Sequence, residues 1–464
     1  MKGYIIQIGI FLCTLTTAYA QVDSVKVFKK RVLENKELDF LISYYSQDGD
    51  NASVTGGVGS EELTDLTPTF ILAIPLNEDD VLTIDAALST YSSASSSNLN
   101  PFDSKDGPSP WVASSGASKQ DSWTSLSIDY SHSSDDRNKI WSGHISFSNE
   151  YDYTSVGLGA GMARLYNKKN TEISLKGNIF IDSWNSQLPV ELRSYQGDIV
   201  DLNTGYFQNV SILNQDGQEI DKNGAAVWSP HSNPLQDDES RNSYSLSISF
   251  AQIINKRAQF SIFADVVQQT GWLSNPMQRV YFKDRDNYYV GDAADIPNYT
   301  NESNTGVFHL ADDIERLPDS RLKIPIGGRF NYYFNENMVL RTYYRFYTDD
   351  WGINSNTLSV ELPYKLTDKY TVVPGIRYYT QTEADYFAGY EEHISTNDYY
   401  SSDYDLSAFN STQYSIGLKY KDIFTKFHIG KLNLKNLNLK YSFYERDSGL
   451  VANIVTIGCK FIIE

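Results

Sequence analysis

The chain has 464 residues, a formal net charge of −19, and an aromatic content dominated by 34 tyrosines and 22 phenylalanines. So acidic a surface excludes nucleic acid as a partner, because phosphate binding needs a basic one. Mean hydropathy is −0.41, and no segment beyond residue 20 approaches the ~18 to 20 continuous apolar residues of a membrane helix, so any crossing of a membrane falls to strands.

Residues 1–20 have the pattern of a signal peptide: Lys2, an apolar run from Ile5 to Leu15, and Ala18-Tyr19-Ala20 ahead of Gln21. Lipidation at Cys13 is disfavoured, because Leu12 precedes it where a small residue is required. Cys459 is then the only mature cysteine, which leaves no intrachain disulfide. Residues 21–36 are short, basic and weakly patterned, and read as a periplasmic lead-in. The rest, 37–464, reads as one all-β domain.

Strands are predicted at 37–47, 63–76, 81–91, 122–132, 140–150, 155–166, 171–183, 242–253 and 258–269, and again at 321–334, 338–348, 357–366, 370–381, 412–421, 434–444 and 454–463. The alternation is plain where Tyr244, Leu246, Ile248 and Phe250 interleave with four serines, and where Leu340, Thr342, Tyr344 and Phe346 interleave with Arg341, Tyr343, Arg345 and Tyr347. One face of each strand suits lipid and the other water.

The connections fall into two alternating classes. NEDD, DDRNK, NKKN, INKR, FNEN and LTDK are tight polar turns, whereas 92–121, 185–241, 272–320 and 383–411 are long. Only KDIFTKFHIGKLN is long on the short side. This grammar predicts a transmembrane antiparallel β-barrel of about 16 strands, with periplasmic turns and external loops, and aromatic girdles that absorb the tyrosines. Its partners would be outer-membrane lipid and lipopolysaccharide, the barrel-assembly machinery during insertion, and a small polar solute. The last strand suits that machinery except that Ile463-Glu464 replaces the usual terminal aromatic.

Several strings are distinctive: KKRVLENKELDFLISYYSQDGDNASVTGG, TGWLSNPMQRVY, LPDSRLKIPIGGRFNYYF, YYRFYTDDWGINSNTLSVEL and IRYYTQTEADYF. Through them the chain resembles the bacterial family catalogued as domain of unknown function 3570, predicted outer-membrane barrels. The N-terminal stretch and SSASSSNLNPFD are most similar to Bacteroidetes-type members. The resemblance implies fold and location, and no catalytic residue.

A ladder of cations is expected to face the lumen: Arg321, Lys323, Arg329, Arg341, Arg345 and Arg377, opposed by Glu361, Glu383 and Asp349. Rows of opposed charge in a water-filled barrel select among solutes, whereas the same groups paired with one another would fill it. In the long loops, Trp272, Arg279, Tyr281 and Trp351 are candidate contacts for an external ligand, by stacking and hydrogen bonding. The other reading of these four is a membrane-interface girdle and a loop brace.

Enzymatic readings find little support. The six histidines form no HExxH string, no GxSxG elbow is present, and His132 and His144 fall on opposite faces of their strands. The acidic run at 284–295 lacks the fixed Gly and terminal Glu of a calcium loop, so neither metal nor cofactor is expected. The sequence thus favours a passive or weakly selective channel, with a non-conducting scaffold or receptor acting through its long loops as the alternative. A plugged active receptor needs more chain than this one has.

Overall fold

The computed structural model describes residues 30–93, 120–185, 188–193, 202–224, 228–230, 239–298, 306–422 and 426–463. The expected signal peptide, Cys13, most of the lead-in and most of loop 92–121 lie outside them. Within them the chain forms sixteen long antiparallel strands, each paired with its sequence neighbours. The first nine are β1 (Lys36–Asp48), β2 (Leu63–Pro75), β3 (Asp80–Ser93), β4 (Gln120–Ser133), β5 (Lys139–Asn149), β6 (Tyr153–Tyr166), β7 (Thr171–Trp184), β8 (Glu239–Ile253) and β9 (Ala258–Gly271). The rest are β10 (Ser320–Tyr333), β11 (Val339–Asp349), β12 (Asn354–Glu361), β13 (Tyr370–Gln381), β14 (Phe409–Lys421), β15 (Leu432–Arg446) and β16 (Val451–Ile463). The cylinder closes where β1 pairs with β16, in register from Lys36 opposite Ile463 to Asp48 opposite Val451. Closure leaves no row of unpaired backbone groups, which the interior of a membrane requires.

The outer surface carries the apolar half of every alternation. On β8, Tyr244, Leu246 and Ile248 are exposed while Ser243, Ser245 and Ser247 are partly covered, and on β5 Trp141, Ile145 and Phe147 are exposed on the same side. Comparable rows run around the cylinder: Leu126 and Ile128, Leu158, Ile262 and Val266, Tyr344, Leu358, Ile376, Ile416 and Leu439. A continuous apolar belt of this extent far exceeds the patches that soluble surfaces tolerate, and lipid is the solvent that suits it.

Four of the six tight turns share a physical device. The Asn77 carboxamide oxygen accepts from the backbone N–H of Asp79 and Asp80 at 2.8 and 2.9 Å, and Asn255 and Asn335 do the same for the residues two and three positions on. Thr367 repeats the pattern with its hydroxyl, at Lys369 and Tyr370. These side chains occupy donors that the turn leaves unpaired.

Two strands end differently from expectation. The stretch 357–366 is broken, because Pro363 has no N–H to donate: β12 stops at Glu361 and pairing with β13 resumes only at Tyr364–Lys365. The long connection before β15 folds back as a short pairing of His428 and Ile429 with Asn433 and Leu432, followed by a register shift between Leu434 and Asn436.

At the end opposite the tight turns, parts of the connections after β1, β7, β9 and β13 pack into one body. Its core contains Val54, Leu192, Phe207, Ile212, Trp228, Phe308 and Leu310, residues drawn from three of the four connections. The connection after β13 joins through Tyr400, packed on Val280 and Phe282. Small strands reinforce it, Tyr288–Gly291 lying between Leu213–Asn214 and Val307–His309.

Candidate functional site

The alternation that turns apolar residues outward turns polar ones into the barrel. From β10 to β15 this interior surface carries Arg321, Lys323, Arg329, Arg341, Arg345, Arg377, Lys419 and Lys440, on the parity opposite to the exposed Ile326, Tyr344, Ile376, Ile416 and Leu439. From β2 to β9 it carries Asp65, Asp85, Asp129, Asp182 and Asp265 among serines and glycines. Here the Asp65 carboxylate accepts from Ser89 and Thr67 at 2.5 and 2.7 Å. The first wall also holds Asp349 and Glu361 and the second Lys176 and Arg241, so the signs are mixed on both, with cations in excess from β10 to β15.

The cations differ in how far they are neutralised. Near the loop end, Arg321 donates twice to Asp349 at 2.9 and 2.5 Å and lies 4.2 Å from the Trp351 ring, so both carboxylate and ring are taken up in one clamp. Nearer the turns, Glu361 sits between Arg341 at 3.9 Å and Lys440 at 3.4 Å. Arg329 lies beside the stacked rings of Phe263 and Tyr343, 5.7 and 5.5 Å from their centroids. Gly327 makes this possible, since a Cβ there would stand 2.5 Å from the Phe263 ring.

Arg345 and Arg377 have no ion pair among the described residues. The Arg345 Nε is buried without a hydrogen-bond partner, and so is the hydroxyl of Thr357, which sits directly opposite in register. Glu383 departs from expectation. It lies two residues beyond the end of β13 and is exposed, outside the row it was expected to oppose.

The structure places the four aromatic and arginine candidates of the loops in packing roles. Arg279 is fully buried: it donates to Glu191 at 2.6 and 3.2 Å and to the Val54 carbonyl, and lies 5.4 Å from the Phe308 ring. Tyr281 is 1% exposed, stacks on His309 at 4.3 Å and donates to the His309 carbonyl at 3.2 Å. Trp351 donates its indole N–H to the Ser320 carbonyl at 3.0 Å, and Trp272 packs against the loop core. Arg279 and Tyr281 therefore have no free surface for an external ligand.

Where the loop body meets the lumen, a half-enclosed cavity of about 540 Å³ remains. Its wall is formed by strand residues including Gln47, Arg377, Gln413, Tyr444 and Arg446, and its roof by loop residues including Glu61, Asn275, Asp403 and Asp405. Sequence reading did not find this site, because its roof comes from loops without periodicity. As for catalysis, His144 bonds Asp129 at 2.8 Å and His132 bonds Asp80 at 2.6 Å, on opposite faces. Among the described residues no serine hydroxyl bonds to either histidine.

A closed antiparallel cylinder with an apolar outer belt and a charged interior is a transmembrane β-barrel. The chain belongs to the family described as a protein of unknown function (DUF3570), whose profile matches residues 10–454. No curated protein matches it. Among solved structures it is similar to a bacterial polysaccharide outer membrane secretin, at 8% identity and a TM-score of 0.41, covering 92% of this chain and 98% of that one. It is also similar to a Pseudomonas aeruginosa FadL homologue (11% identity, TM-score 0.41, 93% and 91% covered) and to the P. putida toluene transporter TodX (7%, 0.39, 93% and 91%). Likeness at this level carries no inference about cargo.

Proposed function

We propose that this protein is an outer-membrane channel for small polar solutes, weakly selective and passive, reached after export under a leader spanning residues 1–20. The observation that carries the reading is the cationic wall in which Arg345 and Arg377 have no ion-pair partner among the described residues. A barrel filled only for structural reasons would neutralise its interior charges, since an unpaired charge out of contact with water costs several kcal/mol. Charges left unpaired therefore favour a hydrated lumen. The apolar core shared by the loops favours a second reading, in which the barrel is a non-conducting scaffold or receptor that displays a rigid loop body.

Swelling of liposomes that contain the refolded protein separates the two. A channel lets small sugars and amino acids enter at rates that fall with solute size. A folded, heat-modifiable barrel that admits none of them retires the channel and leaves the receptor.

A further inference from the structure

The cavity between the loop body and the lumen is built by one register row. Arg377 on β13 pairs with Gln413 on β14, Gln413 with Tyr444 on β15, Tyr444 with Ala452 on β16, and Ala452 with Gln47 on β1. Residues in one row on the same face of adjacent strands form a continuous wall, with side chains about 5 Å apart. Ala452, in the middle of the row, is fully buried. The wall thus offers a guanidinium at one end, carboxamides, and a phenol.

The roof supplies the opposite charge. Arg446 takes up Asp405 at 2.8 Å, and so removes one cation and one carboxylate from the balance. Glu61 and Asp403 remain without an ion-pair partner among the described residues, and so does Arg377. Burial, together with the Asp405 carboxylate, pushes Glu61 up to about 7, and burial raises Asp403 as well. A nearby cation would relieve both.

We infer that this cavity binds a small zwitterion, its carboxylate on Arg377 and its ammonium between Glu61 and Asp403. The volume lies within the range of small-molecule sites and admits an amino acid or a dipeptide. A guanidinium gives a carboxylate two parallel hydrogen bonds, and an ammonium donates three, which two carboxylates accept. The inference names the solute class of the proposed channel and rests on that reading for its role in transport.

Titration calorimetry on the full, refolded chain in detergent tests it with four probes: dialanine, dialanine amide, N-acetyl-dialanine and sucrose. Dialanine should bind at least tenfold more tightly than either blocked form. Arg377→Gln should erase the preference over the amide, and Glu61→Gln the preference over the N-acetyl form, while heat-modifiability of both variants shows the barrel intact. Equal binding of dialanine and its blocked forms, binding of sucrose alone, or no binding by the folded parent would overturn the inference. Conductance without dialanine binding removes this site and leaves the channel; dialanine binding without conductance does the reverse.

Discussion

Arg279 and Glu191 are 88 residues apart in sequence and form a two-pronged ion pair from which solvent is wholly excluded. It ties the connection after β9 to the one after β7, and the bond from Arg279 to the Val54 carbonyl adds the connection after β1. Removing one member of a buried pair leaves the other charged and alone, at a cost of about 3 to 5 kcal/mol. Glu191→Gln should therefore loosen the loop body without opening the barrel, whose ladder it does not touch. Limited proteolysis checks this: new cuts should appear within 185–238 and 272–319 while the heat-modifiable band persists. An unchanged digest would show that the pair is not what holds the loops.

Two buried titratable groups in the loop body act against each other as pH changes. Burial pushes the Asp312 carboxyl up to about 7 from 3.8, although it accepts from the Phe282 N–H at 2.8 Å, and burial pushes His309 down to about 3 from 6.5. For Asp312 the folded pKa is raised, so its contribution is fully present below about 4 and is lost as pH rises to about 7. For His309 it is depressed, so stability is gained as pH rises from about 3 to 6.5. The two windows overlap and largely cancel. Asp312→Asn keeps an acceptor for Phe282 and removes one side of the balance. Relative to the parent, loop protection against protease in the variant should then rise progressively from pH 4 to 7. Parallel profiles for the two proteins would contradict the assignment.

The barrel was legible because strand pairing imposes a period of two on every segment. On β8 and β11 that period alone separates lipid-facing Leu246 and Tyr344 from lumen-facing Ser245 and Arg345. Boundaries moved where a local feature outweighed the period, as at Pro363 and at the register shift between Leu434 and Asn436. The loop body was not legible. Trp228, Phe207 and Leu310 meet through contacts between distant segments and have no periodicity to announce burial. For the same reason a loop brace at Arg279 could be expected but its partners could not, since nothing near Arg279 or Tyr281 in sequence identifies Glu191 or His309. The cation ladder was found as a set, but which of its members are free depends on Asp349 and Glu361 being in reach, and that required the register.

In the proposed channel, unpaired arginines set the selectivity of an open lumen. Reversal potentials in a planar bilayer under a salt gradient report on it, for the parent and for Arg345→Ala combined with Arg377→Ala. The parent should show a stable conductance that prefers anions, with the preference falling in the double variant while the conductance persists. A folded parent without conductance, or a preference that the double variant leaves unchanged, would contradict it.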